Sequence, residues 1–352
     1  MLADSICPDP VLLAGMANIS LPELAAAVSN AGGMGIVGGA FITPDTLRKY
    51  LRELKALLVD PALPFGVDLL LPAVGGSARA TNKDYTRGAL GELVDIMIEE
   101  GASLFVCAVG TPPIPVVERL HDAGIMVMNM VGSPKHVIKA LDCGVDAVCA
   151  QGTEAGGHTG DVATTVLIPQ CVDICKGRTS PLTGGPIAVV GAGGIYDGRG
   201  MAAALALGSH AVWIGTRFVA ATEAAVGPRH QRAVIATSSD DTVRTTIFSG
   251  RPMRVMKNDY IMEWETTRQL ERDELLNQGK RPYKTDLTAN EEAGTPLDFL
   301  ETYPNILGQA SGGIDEVLPA KDIVHGMVAG AFDVFRAQQE LLAEANQAVA
   351  RL

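Results

Sequence analysis

Basic residues are scarce in this sequence: 28 Lys and Arg stand against 40 Asp and Glu, a net charge of −12. Nucleic-acid binding needs a basic footprint and docking to an anionic bilayer needs a polybasic one, so neither partner is expected. Long hydrophobic runs are missing as well. Mean hydropathy is +0.20, yet Gly, Pro or a charge interrupts every apolar stretch before the roughly 18–20 residues that span a bilayer. Buried parallel strands, apolar on both faces, account for such a composition. Residues 1–10 lack the basic segment and apolar core of a secretory leader, and Ala350-Arg351-Leu352 matches no lipidation or retention signal. A soluble, cytoplasmic protein is expected. Six irregularly spaced cysteines make no disulfide framework. Cys171 and Cys175 lie one helical turn apart, but no second pair completes a zinc site, so reduced, buried thiols and no metal are expected.

What is present is an alternation of short β-branched runs with helical segments. Strands are predicted over 11–16, 34–37, 65–71, 104–109, 125–130, 147–150, 187–190 and 211–214. Helices are predicted between them, over 22–30, 44–58, 85–100, 114–123, 134–142, 166–175 and 198–207. Ser20 reads as an N-cap, Pro44 as a first-turn proline, and Gly101 and Gly144 as helix stops. Eight strands with helices between is the count that closes a (β/α)8 TIM barrel. An open doubly wound sheet is the alternative, but it wants Gly-x-Gly-x-x-Gly after its first strand, which is missing. Beyond residue 220 charge becomes dense and mixed, with a helix predicted over 261–277. The expected organisation is a barrel from 1–220 and 311–352, closed by a helix from Ala320, with a mostly helical lid from 221–310.

Three glycine-rich stretches follow predicted strands six, seven and eight, where a barrel gathers its ligands. The first, AQGTEAGGHTGD, puts His158 in a flexible turn. An imidazole titrating near neutrality suits proton abstraction there. His121, His136, His210, His230 and His325 fall on helices or element edges and read as spectators. The second, GAGGIYDGRG, and the third, WIGTRF, supply backbone N–H donors for a phosphate, with the Thr216 hydroxyl added. Asp197 reads as a helix N-cap rather than a catalytic carboxylate.

Together with the opening AGMANISLPELAAAVSNAGGMGIVGG and the strand FGVDLLLP, these stretches resemble the nitronate monooxygenase (formerly 2-nitropropane dioxygenase) family over most of residues 11–220. The tail GQASGGIDEVLPAKDIV is also similar. The resemblance implies non-covalent FMN and His158 as the catalytic base. It assigns flavin contacts to Gln151 and Gly156, and phosphate contacts to Gly193 and Gly194 and to Trp213, Ile214, Gly215 and Thr216. Gly15 and Met16 would lie beside the isoalloxazine. Asp68 stands where the family often has Asn, and an ionised carboxylate there could only accept hydrogen bonds.

The implied reaction oxidises alkyl nitronates, with neutral nitroalkanes as further candidates, using O2 to give carbonyl compounds and nitrite. His158 either removes the α-proton or orients the anion. The rivals are a flavin-dependent enoyl-acyl-carrier-protein reductase and an NAD(P)H:quinone reductase of the same superfamily, both fed by NAD(P)H. A phosphate-binding barrel without flavin is the alternative outside redox chemistry. Arg251 and Tyr260 are within reach of the pocket in principle, but the simpler reading gives both a surface or capping role.

Overall fold

Eight of the apolar runs become parallel strands in the computed structural model, which describes residues 8–76 and 78–349. In chain order they are β1 (Val11–Leu13), β2 (Gly35–Gly38), β3 (Phe65–Leu70), β4 (Leu104–Ala108), β5 (Met126–Val131) and β6 (Ala147–Gln151). After a two-residue strand β7 (Gly157–His158) that stays outside the barrel come β8 (Ala188–Ala192) and β9 (Ala211–Ile214). The spatial order is β1-β9-β8-β6-β5-β4-β3-β2. The ring closes where Leu12 bridges Met34 in parallel. There Leu13 N–H donates to Met34 O at 2.9 Å and Met34 N–H to Val11 O at 3.0 Å. Closure removes both sheet edges. The chain forms the (β/α)8 barrel.

Strand alternation divides the core in two. Leu12, Ile36, Val106, Met128, Val190 and Trp213 fill the barrel interior. Leu13, Val37, Phe105, Val127, Val189 and Val212 face the surrounding helices. Those helices are Pro22–Asn30, Pro44–Leu57, Leu90–Glu100, Ile114–Asp122, Pro134–Asp142, Thr164–Cys175 and Gly198–Ala206. Proline opens three of them, where its fixed φ suits a helix and its missing N–H costs nothing. A final helix, Ala320–Val349, packs on Gly198–Ala206 so closely that a methyl at Gly198 would stand 2.4 Å from the Gly330 carbonyl carbon. Cys107, Cys149, Cys171 and Cys175 are free and buried; Cys7 lies outside the described residues. No helix among the described residues is long and apolar enough to cross a membrane.

Three local expectations are corrected. The helix after β3 begins at Leu90, not Tyr85, which leaves a long loop over 71–89. Ser20 caps no helix: its hydroxyl accepts Met16 N–H at 2.6 Å and donates to Met16 O at 3.0 Å, shaping the turn after β1. Ile261–Asn277 is two helices, Asp259–Thr266 and Gln269–Asn277, broken at Thr267 and Arg268. The segment after β9 also holds a ribbon the sequence reading does not assign, β10 (Thr242–Thr245) paired antiparallel with β11 (Met253–Met256). Around it lie helices Pro228–Ala236, Pro282–Glu292 and Phe299–Thr302, with a small core of Ile247, Val255, Ile261 and Trp264.

Candidate active site

Backbone strain marks one end of the barrel. Among the described residues, four non-glycine residues have positive φ: Asn18 (60°), Phe41 (63°), Arg87 (55°) and Val109 (67°). They fall one each in the loops leaving the carboxyl ends of β1, β2, β3 and β4. Strain of this kind persists only where surrounding structure holds it, and it collects at ligand sites.

His158 stands at the same end, past β6. It does not sit in a free loop; β7 pairs with β11, placing Met253 opposite His158 and Arg254 opposite Gly157. The imidazole Nε2 lies 2.9 Å from Ser249 Oγ. That hydroxyl also accepts Arg251 N–H at 3.3 Å, and the Arg251 guanidinium donates to Asn82 Oδ1 at 3.1 Å. Burial, and then the positive charge of Arg251, push the His158 pKa down to about 4. The ring is therefore neutral at pH 7, able to donate from one nitrogen and accept at the other. Its conjugate acid is too strong for the ring to be an efficient general base at neutral pH.

The glycine turns lie on the neighbouring strands. Ala192 is in register with Gln151 on one side and Trp213 on the other. Gly193 (φ +100°) and Gly194 (φ +73°) turn the chain through a region closed to ordinary side chains. Among the described residues, no protein acceptor takes the amide protons of Gly193, Gly194, Gly215 or Thr216. The Thr216 hydroxyl accepts Gly308 N–H at 2.9 Å. Gly156 lies directly under that segment, where a methyl would stand 2.7 Å from the Leu307 carbonyl carbon. A cavity of about 320 Å³ opens beside Gly193 and Gly194, lined also by Glu154, Thr164, Tyr196 and Gln309; His158 does not line it.

Gly15, Met16, Asp68 and Gly215 meet across the barrel. A methyl at Gly15 would stand 2.3 Å from Asp68 Cβ, and one at Gly215 3.8 Å from Met16 Sδ. Trp213 faces the interior with them. Ile214 does not, because its side chain packs in the outer core and only its carbonyl, accepting Ala14 N–H at 2.8 Å, turns back. Asp197 caps the helix Gly198–Ala206 by accepting Gly200 N–H at 2.9 Å.

Asp68 is 3% exposed and its Oδ1 has no partner among the described residues. Burial pushes its pKa up to about 8, so at pH 7 it is mostly a neutral acid. It then carries one donor and one acceptor, the complement of an asparagine side chain. The unfolded chain releases this proton near 3.8 while the folded chain holds it to about 8. The contribution of this one group to stability is thus greatest below pH 3.8 and declines as pH rises toward 8. Asp68→Asn removes that dependence. Its gain is expected to be near zero at pH 4 and about 3–5 kcal/mol at pH 7, read as a difference in urea midpoints at the two pH values.

Several residues of this site carry no motif. Arg251 is half-buried, with its backbone N–H on the Ser249 hydroxyl that contacts His158. Tyr260 is not brought to His158, and its hydroxyl donates to Asp286 Oδ2 at 3.0 Å. Glu154 accepts Thr164 N–H at 3.0 Å, while its carbonyl accepts Gln309 N–H at 2.9 Å. Of the other histidines, His121 pairs with Asp146 at 2.8 Å and His210 accepts Val189 N–H at 3.2 Å, both in structural roles. No cluster of three His, Cys, Asp or Glu suited to a metal occurs among the described residues.

The sequence profile of the nitronate monooxygenase family matches residues 2–330. The chain belongs to this family. It is thereby an oxidoreductase. A nitronate monooxygenase of Paraburkholderia phytofirmans is 34% identical over 280 residues, covering 71% of this chain and 74% of that one. A hydroxy-methyl-oxo-octahydro-indene-carboxyl-CoA dehydrogenase of Rhodococcus jostii is 31% identical over 359 residues, covering 92% of each. Among solved structures, FabK from Thermotoga maritima superposes with a TM-score of 0.77 at 32% identity, covering 97% of this chain and 98% of its own.

Proposed function

We propose that this family member is an FMN-dependent nitronate monooxygenase that acts on anionic nitronates in preference to neutral nitroalkanes. The observation that carries the preference is the pairing of a neutral His158 with the positive charge of Arg251 at the barrel mouth. The residues suit FMN. Gly193, Gly194, Gly215 and Thr216 offer unspent N–H groups to a phosphate, and Gln151 and a neutral Asp68 offer both donors and acceptors to polar edges. Gly156 backs the turn, and Gly15 and Met16 lie at the same end of the barrel, where Gly15 packs against Asp68. When bound, FMN supplies the redox chemistry, taking electrons from the nitronate so that O2 can complete its conversion to a carbonyl compound and nitrite.

The chain's own task is to bind and orient the anion. Arg251 attracts its negative charge, and Ser249 fixes the imidazole plane by holding Nε2. An anion beside the ring offsets the effect of Arg251 and raises the His158 pKa again, so His158 can hold a proton on the nitro oxygens. Residues 221–310, which carry Ser249 and Arg251, act as a lid that excludes water from this encounter. The reaction takes place wherever the folded chain resides, and the cytoplasm is the compartment we propose.

The test is to record the visible spectrum of the purified protein and mix it anaerobically with propyl nitronate and, separately, with NADH and NADPH. A flavin band bleached by the nitronate is the expected outcome. Bleaching by NADH or NADPH without reaction with nitronate would replace this reading with a reductase built on the same barrel. A protein that stays colourless after FMN is added would remove the flavin altogether.

A further inference from the structure

The loop after β3 and the segment after β9 are locked together along a seam. Arg79 donates to Gly250 O at 2.8 Å, and Arg251 donates to Asn82. A methyl at Gly250 would stand 2.1 Å from Thr81 Oγ1, and one at Gly279 3.2 Å from Ala80 Cβ.

Six cations line this seam: Arg79, Lys83, Arg87, Arg251, Arg281 and Lys284. None has an ion-pair partner among the described residues. They repel one another: Arg281, Lys284 and Arg87 each disfavour the charge on Lys83, and Arg79 disfavours that on Arg251. The nearby Asp84 spends its carboxylate on Thr86 and Gly88 within its own turn. What distinguishes the seam is the grouping of unpaired cations in one place, whereas other clusters of cations in this acidic chain are paired. Arg48, Arg52 and Lys55 converge on Glu99 and Glu100, and Arg268 is held by Glu271 and Asp286. An uncompensated positive concentration in a protein of net charge −12 costs stability unless a ligand of opposite charge offsets it.

An aromatic pair marks the same place. The rings of Phe41 and Tyr85 lie 4.6 Å apart, Phe41 is 41% exposed at positive φ, and Lys83 Nζ stands 4.4 Å from the Phe41 centroid. The seam is continuous with the mouth, because Ser249 and Arg251 touch the His158 end of it. A nitronate brings one negative charge, far short of six. Stacking faces beside clustered cations match a nucleotide with several phosphates.

We infer that this seam binds the phosphates and base of a nucleotide-bearing ligand whose reactive end reaches the barrel mouth. Two sources share that chemistry, a coenzyme A thioester as substrate and a reduced nicotinamide dinucleotide as electron donor. The inference relies on the proposed reading only for where the mouth lies.

The test is calorimetric titration of the flavin-loaded protein with coenzyme A, with NADPH and with inorganic phosphate, at low and high salt. At least one nucleotide is expected to bind in the micromolar range, phosphate far more weakly, and salt to weaken the nucleotide. Changing Lys83, Arg281 and Lys284 together to Gln should lower nucleotide affinity on the order of thirtyfold and flatten the salt dependence, with flavin content reporting intact folding. Binding of coenzyme A without bleaching identifies a thioester substrate, and bleaching by NADPH identifies the donor. Failure of both nucleotides to bind at millimolar concentration, or affinity unchanged by the triple substitution, overturns the inference. Nitronate turnover in such a non-binding protein would leave the proposed function standing. Loss of flavin and nitronate chemistry with nucleotide binding intact would do the reverse.

Discussion

Gly194→Val is expected to give a colourless protein. Gly194 has φ +73°, and a Cβ there would stand 3.3 Å from Glu154 Cβ. A β-branched residue is a steric outlier in that region, and even an unbranched one costs roughly 1–2 kcal/mol. The chain relieves this by rotating the peptide, which swings the amides of Gly193 and Gly194 away from the phosphate they are proposed to hold. Glu154 is displaced as well, and with it the carboxylate at the head of Thr164–Cys175. The affinity for FMN should fall on the order of a hundredfold, enough for loss during purification. The measurements are flavin per polypeptide by absorbance and FMN affinity by fluorescence quenching, with circular dichroism to show that the barrel is intact. Gly227→Ala is the control, since nothing lies within 4 Å of its Cβ position and its φ is ordinary. Full flavin content in Gly194→Val would remove these amides from the cofactor site.

His158→Asn has the second largest expected effect, and it should differ between substrates. A nitroalkane must lose a carbon-bound proton, and even a base as weak as this imidazole, once positioned, is expected to contribute about a hundredfold, the low end of the range for such groups. A nitronate has already lost it, so only orientation is at stake, and about a tenfold loss is expected. The pH profile gives the sign. With its pKa pushed down to about 4, wild-type His158 is neutral at every higher pH. Wild-type kcat/KM for a nitroalkane should therefore rise through about pH 4 and stay flat above about pH 5, and the variant should lack that limb. Equal losses on both substrates would leave His158 no proton-transfer role.

The barrel was legible because its strands carry their own evidence. Runs such as Val189-Val190 between Gly-rich turns need no distant partner to declare burial. Pro22, Pro44 and Pro134 likewise fix helix starts locally. The ribbon was not, although Thr242-Val243-Arg244-Thr245 and Met253-Arg254-Val255-Met256 do alternate. Each run is four residues long and carries arginine, and its pairing with Gly157 and His158 spans about a hundred residues of sequence. Dense charge concealed the period. Glycine composition located the turns proposed to hold the cofactor, but it did not separate Trp213, which faces inward, from Ile214, which faces out. Strand parity would have done so. Asp68 was visible as a departure from the family, but its protonation state follows from burial that only the closed barrel creates.

Because Met253 and His158 are partners in one hydrogen-bonded ribbon, the proposed covering segment and the proposed proton-handling group are a single mechanical part. Such a cover cannot swing open like a door on an unmoved frame; any displacement of β11 re-aims the imidazole. Family members that exchange this segment for another therefore alter the reactive geometry and the entrance together. Substrate range in this architecture then changes in steps, by whole-segment replacement, more readily than by gradual widening of the opening.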